Sequence, residues 1–255
     1  MPEHELWLTA LFNDHLAGLA TAILNVVGMT AENAARPWQN WIVMELLVVA
    51  ILVLLAAVLR PALSVENPGR LQHFFEIIYT FWTKTTADFG IHDGAKYVPF
   101  FGTLFLFVLS MNLIGIIPVF ESPTMTPAVP AGLAVCTFIY YNLMGVRENG
   151  VLKYIAHFAG PVRFGNVFAT AAIMLLMFPL EIISNLARLL SLTIRLWGNM
   201  FAGEQVTNVF ISLTYLVIPV IFMGLHVFVS LVQAYVFALL TVIYVSAVNT
   251  HGDAH

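Results

Sequence analysis

Ser191-Leu192-Thr193-Ile194-Arg195-Leu196-Trp197-Gly198-Asn199-Met200-Phe201-Ala202-Gly203-Glu204 carries one arginine inside an apolar run in the C-terminal half of the chain. A guanidinium stays protonated at any physiological pH. At membrane depth it costs between about 2.5 and more than about 10 kcal/mol, depending on snorkelling and local water. A charge placed there needs a partner or a task.

The rest of the sequence says that membrane depth is the right frame. Of 255 residues, 60% are hydrophobic and 9% charged, where a soluble domain carries roughly 25% charged residues. Mean hydropathy is +0.89. The apolar runs are long and continuous, which excludes the alternating short segments of a β-barrel. The fold class expected is therefore an all-α polytopic membrane protein. The net charge of −4 and the lack of a basic run leave no case for nucleic acid. The single cysteine, Cys136, excludes an intramolecular disulfide and a Cys-rich metal site, and reads as a small buried hydrophobe. Pro2, Glu3, His4 and Glu5 are unlike a signal peptide's basic start or an Arg-rich transit peptide, which points to a bacterial plasma membrane.

Along the chain, Glu5 to Met29 reads as an amphipathic surface helix or a flexible leader. Trp41 to Leu59 is a first span of about 19 residues, enough for a ~30 Å hydrocarbon core. Arg60 and Arg70 follow it, against Arg36 alone before it, so the positive-inside bias puts the N-terminus outside. Gln72 to Phe89 interleaves Phe74, Phe75, Ile77, Ile78, Phe81 and Trp82 with Glu76, Lys84 and Asp88, as a cytoplasmic interfacial helix would. Val98 to Phe120 spans outward, an external Pro-rich turn covers Glu121 to Pro127, and Val129 to Val146 returns. The next loop, with Arg147, Lys153 and Arg163, is then cytoplasmic.

Two longer segments follow. Asn166 to Ala202 is helix-compatible for about 37 residues and Asn208 to Asn249 for about 42, or ~55 and ~60 Å at 1.5 Å per residue. Both exceed one bilayer thickness. The expectation is a hairpin of two oblique helices turning around Gly203 to Thr207; four short helices are the alternative. In total this gives one or two surface helices, about three ordinary spans and the long hairpin. Residues 1–40 form an N-terminal external or amphipathic segment. A single transmembrane domain over 41–255 holds the functional hairpin at about 166–249, with the C-terminus cytoplasmic.

Polar residues at membrane depth are where the chemistry must lie. Glu181, Arg188 and Arg195 are spaced by seven, which places them along one helix face to within about 20° per step. Ser184, Asn185 and Asn199 join or flank this stripe. His226 and Gln233 are also seven apart, with Ser230 between them. An interhelical polar clamp explains Glu181 and Arg188, snorkelling relieves part of the Arg195 penalty, and Gln233 or Asn112 suits helix-to-helix glue. Taken jointly the set suits proton handling: carboxylates and histidine pass protons, and arginine does not. Glu204 and His226 would form an outer path, Glu181 an inner one, and Arg195 the barrier between them. No Gly-x-x-x-x-Gly-Lys-Ser/Thr loop is present, so nucleotide chemistry would belong to partners. No metal-ligand spacing and no cofactor site is found.

Leu192 through Glu204 resembles the signature of subunit a of the bacterial F-type ATP synthase. Similarity extends to Met111-Asn112-Leu113-Ile114-Gly115-Ile116-Ile117-Pro118, to His226, to Gln233-Ala234-Tyr235-Val236-Phe237 and to Ile243-Tyr244. The resemblance covers about residues 40 to 249. It implies two tilted helices against a rotating c-subunit ring, two offset half-channels, peripheral-stalk b subunits and, indirectly, the F1 sector as partners. It gives Arg195 the essential place facing the ring carboxylate. Asn112, Asn199, Glu204, His226 and Gln233 then match the external half-channel, and Glu181, Ser184 and Arg188 the cytoplasmic one. The chain departs from many relatives in having Gly115 where they carry an acidic residue; Glu121, six residues on, is a nearby carboxylate. A Na⁺-coupled version of this subunit and a stand-alone ion transporter are the competing readings. The transporter lacks matching inverted halves.

Overall fold

A computed structural model describes residues 5–27, 36–91, 93–117, 120–150, 167–213 and 217–249. Among the described residues there are, in chain order, seven α-helices: α1 (Trp7–Val27), α2 (Asn40–Ala62), α3 (Arg70–Asp88), α4 (Val98–Ile114), α5 (Ala128–Asn149), α6 (Val167–Leu213) and α7 (Val217–Asn249). Short 3₁₀ turns occupy Gly94–Lys96 and Pro123–Met125, and no strand occurs among the described residues. Among the described residues, four helices are long and apolar enough to cross a membrane: Asn40–Ala62, Ala128–Arg147, Leu175–Leu213 and Val220–Ala247. The chain is an all-α, multi-pass membrane protein.

The outward surface explains why these helices suit lipid. Val53, Leu54 and Val58 of α2 are 61%, 64% and 61% exposed, so the apolar groups that a soluble fold would hide face outward. Cys136 is also exposed, on α5. The expectation that it is buried fails because apolar character does not signal burial in a lipid-facing helix. α4 is shorter than the span expected over Val98 to Phe120. It tightens after Ile114, where Ile116 and Ile117 donate to the carbonyls of Leu113 and Ile114, the i to i+3 pattern that closes a helix. Pro118, Lys153 and Arg163 lie outside the described residues.

The long pair also differs from its expected bounds. α6 has 47 residues and α7 has 33. The expected turn at Gly203 to Thr207 is helical, and α6 continues to Leu213. Thr207 Oγ1 bonds back to Gly203 O at 2.8 Å, which satisfies the hydroxyl within the helix. At ~1.5 Å per residue α6 reaches ~70 Å. Pro179 lies within it.

The chain divides into two compact units. The first comprises Met1–His73, Leu106–Thr126 and Gly198–Ala234. Its buried residues include Val43, Met44, Val48, Val108, Met111 and Met200. Here α1 and the 3₁₀ turn Pro123–Met125 each pack against α2. Trp38 Nε1 donates to Leu16 O at 2.9 Å, and Phe12 meets the Trp38 ring edge-on. The second unit comprises Phe74–Phe105, Pro127–Trp197 and Tyr235–His255. Its core is aromatic, with Trp82, Tyr97, Phe101 and Tyr141 buried beside Ala238, Val242 and Val245. Ser246 Oγ donates to Phe89 O at 2.7 Å and ties α7 to the end of α3.

Candidate functional site

Every residue expected at the site falls on a described helix, with Asn112, Asn199, Glu204, His226 and Gln233 in the first unit and Glu181, Ser184, Arg188 and Arg195 in the second.

In the first unit, α6 and α7 bring two of these, Asn199 and Gln233, into direct contact. Asn199 Nδ2 donates to Gln233 Oε1 at 2.8 Å. Ser230 Oγ faces Met200 Sδ at 3.8 Å. His226 is buried and lies against Gly203: a Cβ placed on that glycine would sit 2.8 Å from His226 Nδ1. Gly203 therefore serves close helix approach. The pair Ala202-Gly203 carried that signal, which was hidden by reading the glycine as a turn. Asn112, on α4, is fully buried and accepts from Thr124 Oγ1 at 2.8 Å. Six buried side-chain atoms have no hydrogen-bond partner among the described residues, and three of them lie on this set: Asn112 Nδ2, Glu204 Oε2 and Gln233 Nε2. Each such atom costs about 1–3 kcal/mol unless water meets it. All three belong to the residues expected to handle protons.

The second unit holds the cationic stripe on α6. At ~100° per residue, Ser184, Arg188, Ser191 and Arg195 fall within about 60° of one another. On one flank lie Asn185, Leu192 and Leu196, buried at 6%, 3% and 0% exposure. On the other lie Leu180, Ile183, Leu190 and Ile194, between 50% and 61% exposed. The polar stripe thus borders a packed flank and an outward apolar one. Arg195 itself is exposed, and its Nη2 reaches Ser191 Oγ at 3.5 Å. No carboxylate pairs with it among the described residues, where the ion pair found joins Arg36 to Glu5. Arg188 lies over the Tyr244 ring, 5.4 Å from its centroid, a cation–π contact. Asn185 Oδ1 accepts from Tyr141 OH at 3.1 Å. Glu181 lies in the helix, and its side chain is outside the described residues. The partners Tyr141 and Tyr244 have no signal in spacing along α6, because they sit on other helices.

Among the described residues no group of three or more His, Cys, Asp or Glu is arranged to hold a metal.

Comparison with known proteins gives a family. The family model described as ATP synthase A chain matches residues 41–246. The chain is 54% identical over 241 residues to ATP synthase subunit a of Solibacter usitatus (strain Ellin6076), covering 94% of this chain and 99% of that one. It is 44% identical over 249 residues to ATP synthase subunit a of Koribacter versatilis (strain Ellin345), covering 98% of each. With ATP synthase subunit a of Geotalea daltonii it shares 34% identity over 230 residues, covering 90% of this chain and 94% of the relative.

Proposed function

This chain belongs to the ATP synthase A chain family, and we propose that it works as the proton-conducting stator subunit of a rotary ATP synthase. It has no catalytic centre of its own. Its partners are a ring of c subunits bearing carboxylates, the peripheral-stalk b subunits and, through them, the F1 sector. It sits in the bacterial plasma membrane with its N-terminus external and its C-terminus cytoplasmic.

One observation carries this reading. Arg195 is exposed beside an outward apolar flank, and no carboxylate of the described residues pairs with it. A lasting charge at membrane depth requires a counter-charge. A carboxylate on a neighbouring chain supplies it, and one that moves past supplies it in turn. The partnerless polar atoms of Asn112, Glu204 and Gln233 support an aqueous path in the same way.

In the mechanism, protons come from outside through Glu204 and His226, lined by Asn112, Asn199 and Gln233, and neutralise a ring carboxylate. A neutral carboxyl can turn into lipid; an ionised one pays several kcal/mol to do so. After nearly a full rotation the carboxyl meets the inner path of Glu181, Ser184 and Arg188. Arg195 favours the ionised form by opposite charge and blocks direct leak between the paths. Each elementary charge crossing 100 mV releases about 2.3 kcal/mol, so several protons drive each ATP.

The test is Arg195→Ala in the whole complex in membrane vesicles. Coupled ATP synthesis is expected to vanish while passive proton leak through the membrane sector persists. Wild-type synthesis in that variant overturns the reading.

A further inference from the structure

Two arginines share one face of α6, and a passing carboxylate can pair with either. Arg188 and Arg195 are seven residues apart, which puts them roughly 10 Å apart along the helix and within about 20° of one another around it. Their surroundings differ. Arg195 is exposed, and its Nη2 reaches Ser191 Oγ at 3.5 Å. Arg188 is half-buried and lies over the Tyr244 ring, 5.4 Å from its centroid. The Tyr244 ring in turn meets the ring of Tyr141 on α5, with 5.8 Å between centroids and a tilt of 52°. Tyr141 is buried, and its OH donates to Asn185 Oδ1 at 3.1 Å. Asn185 stands three residues before Arg188 on α6. The contacts close a circuit within the second unit: α6 at Asn185, α5 at Tyr141, α7 at Tyr244, and α6 again at Arg188. Phe138, almost one turn before Tyr141, packs edge-on against its ring at 5.3 Å, so that ring has little freedom to turn away.

We infer that this circuit is a clasp that withholds Arg188 from the moving carboxylate and leaves Arg195 as its partner, with Tyr141 as the positioning residue that closes it. This rests on the stator reading above and adds what decides which cation the carboxylate meets. A guanidinium donates hydrogen bonds in its plane and stacks on aromatic rings through its face. Stacking on Tyr244 therefore fixes the plane in which Arg188 can donate. A cation–π contact alone is weak beside an ion pair formed away from water, so the ring that holds Arg188 needs a brace. Tyr141 supplies it: its ring backs Tyr244, and its hydroxyl is tied to the helix that carries Arg188. Without the brace, an ionised carboxylate caught at Arg188 would be stabilised there by opposite charge, and the ring would dwell out of register with Arg195. No covalent bond changes in this selection; what changes is which of two cations is free to pair.

The experiment compares Tyr141→Phe, Tyr141→Leu, Asn185→Ala, Arg188→Gln and Arg195→Ala in the intact complex, together with Tyr141→Leu and Asn185→Ala each combined with Arg188→Gln. Assembly is measured by immunoblot and proton-driven ATP synthesis is read in membrane vesicles. Tyr141→Leu is expected to lower synthesis by roughly tenfold, the size that loss of a desolvated cation–π contact implies. Tyr141→Phe keeps the ring and Asn185→Ala removes only the acceptor, so each gives a smaller loss. The second site decides: once Arg188→Gln is added no loose cation competes, and Tyr141→Leu rises to the rate of Arg188→Gln alone. A tyrosine that only filled space would show no such recovery. Where Tyr141→Leu does not assemble, Asn185→Ala with and without Arg188→Gln decides in the same way. A double variant no faster than its Tyr141→Leu or Asn185→Ala parent, or an assembled Tyr141→Leu complex at wild-type rate, overturns the clasp. If Arg195→Ala abolishes synthesis in the same series, the stator reading survives that result; if Arg195→Ala is wild-type, both fail.

Discussion

Asn199 on α6 and Gln233 on α7 share a hydrogen bond of 2.8 Å, a direct polar link between the two long helices within the first unit. Interhelical hydrogen bonds in membranes contribute about 0.6–2 kcal/mol. Gln233 is 3% exposed, so its carbonyl oxygen has little access to other donors when Asn199 is removed. A double-mutant cycle with Asn199→Ala and Gln233→Ala is expected to give a coupling energy of about 1 kcal/mol. Thermal dissociation of the purified complex measures it. Additive single effects would mean that the bond contributes nothing.

Gly203 is expected to tolerate no side chain while His226 stands opposite. Gly203→Ala places a methyl group 2.8 Å from His226 Nδ1, and overpacking of this kind costs about 1–3 kcal/mol. The ring must move, so proton conduction falls together with thermal stability. Adding His226→Ala reopens the space. Stability should then recover while conduction stays low. Recovery of both would show that the histidine only fills volume.

Arg195→Lys keeps the charge and loses the delocalised planar fork. Arg195 here reaches outward past Ser191 at the 3.5 Å limit of hydrogen bonding, so the reach and spread of the guanidinium matter more than a local contact. Severe impairment of ATP synthesis and of ATP-driven proton pumping is expected. Near-normal pumping would show that charge alone suffices.

The Arg188 contact with Tyr244 predicts a clean separation of two substitutions. Tyr244→Phe keeps the ring beneath the guanidinium and should leave stability near wild type. Tyr244→Leu removes the ring and should cost about 0.5–2 kcal/mol. Thermal denaturation of the complex distinguishes them, and equal losses would assign the effect to the hydroxyl.

How much of this was visible in the chain follows from what periodicity reports. The seven-residue spacing of Arg188 and Arg195 placed both on one stripe because a single helix carries them. The apolar runs located α2, α5 and most of α7 because length and hydropathy are properties of one segment. Contacts between segments leave no such trace. Gly203 read as a turn until His226 was found against it. Glu121 to Pro127 read as an external Pro-rich loop, yet Ser122, Pro123 and Thr124 are buried through bonds to α4 that no local pattern encodes. Cys136 read as buried because hydropathy does not distinguish a side chain facing lipid from one facing a core.

That cysteine has a practical consequence. It is the chain's single thiol and stands on the outer surface of α5, so the unmutated subunit offers one site for a membrane-permeant maleimide dye. A fluorophore there would report on this subunit during turnover without the background of competing cysteines within the same polypeptide.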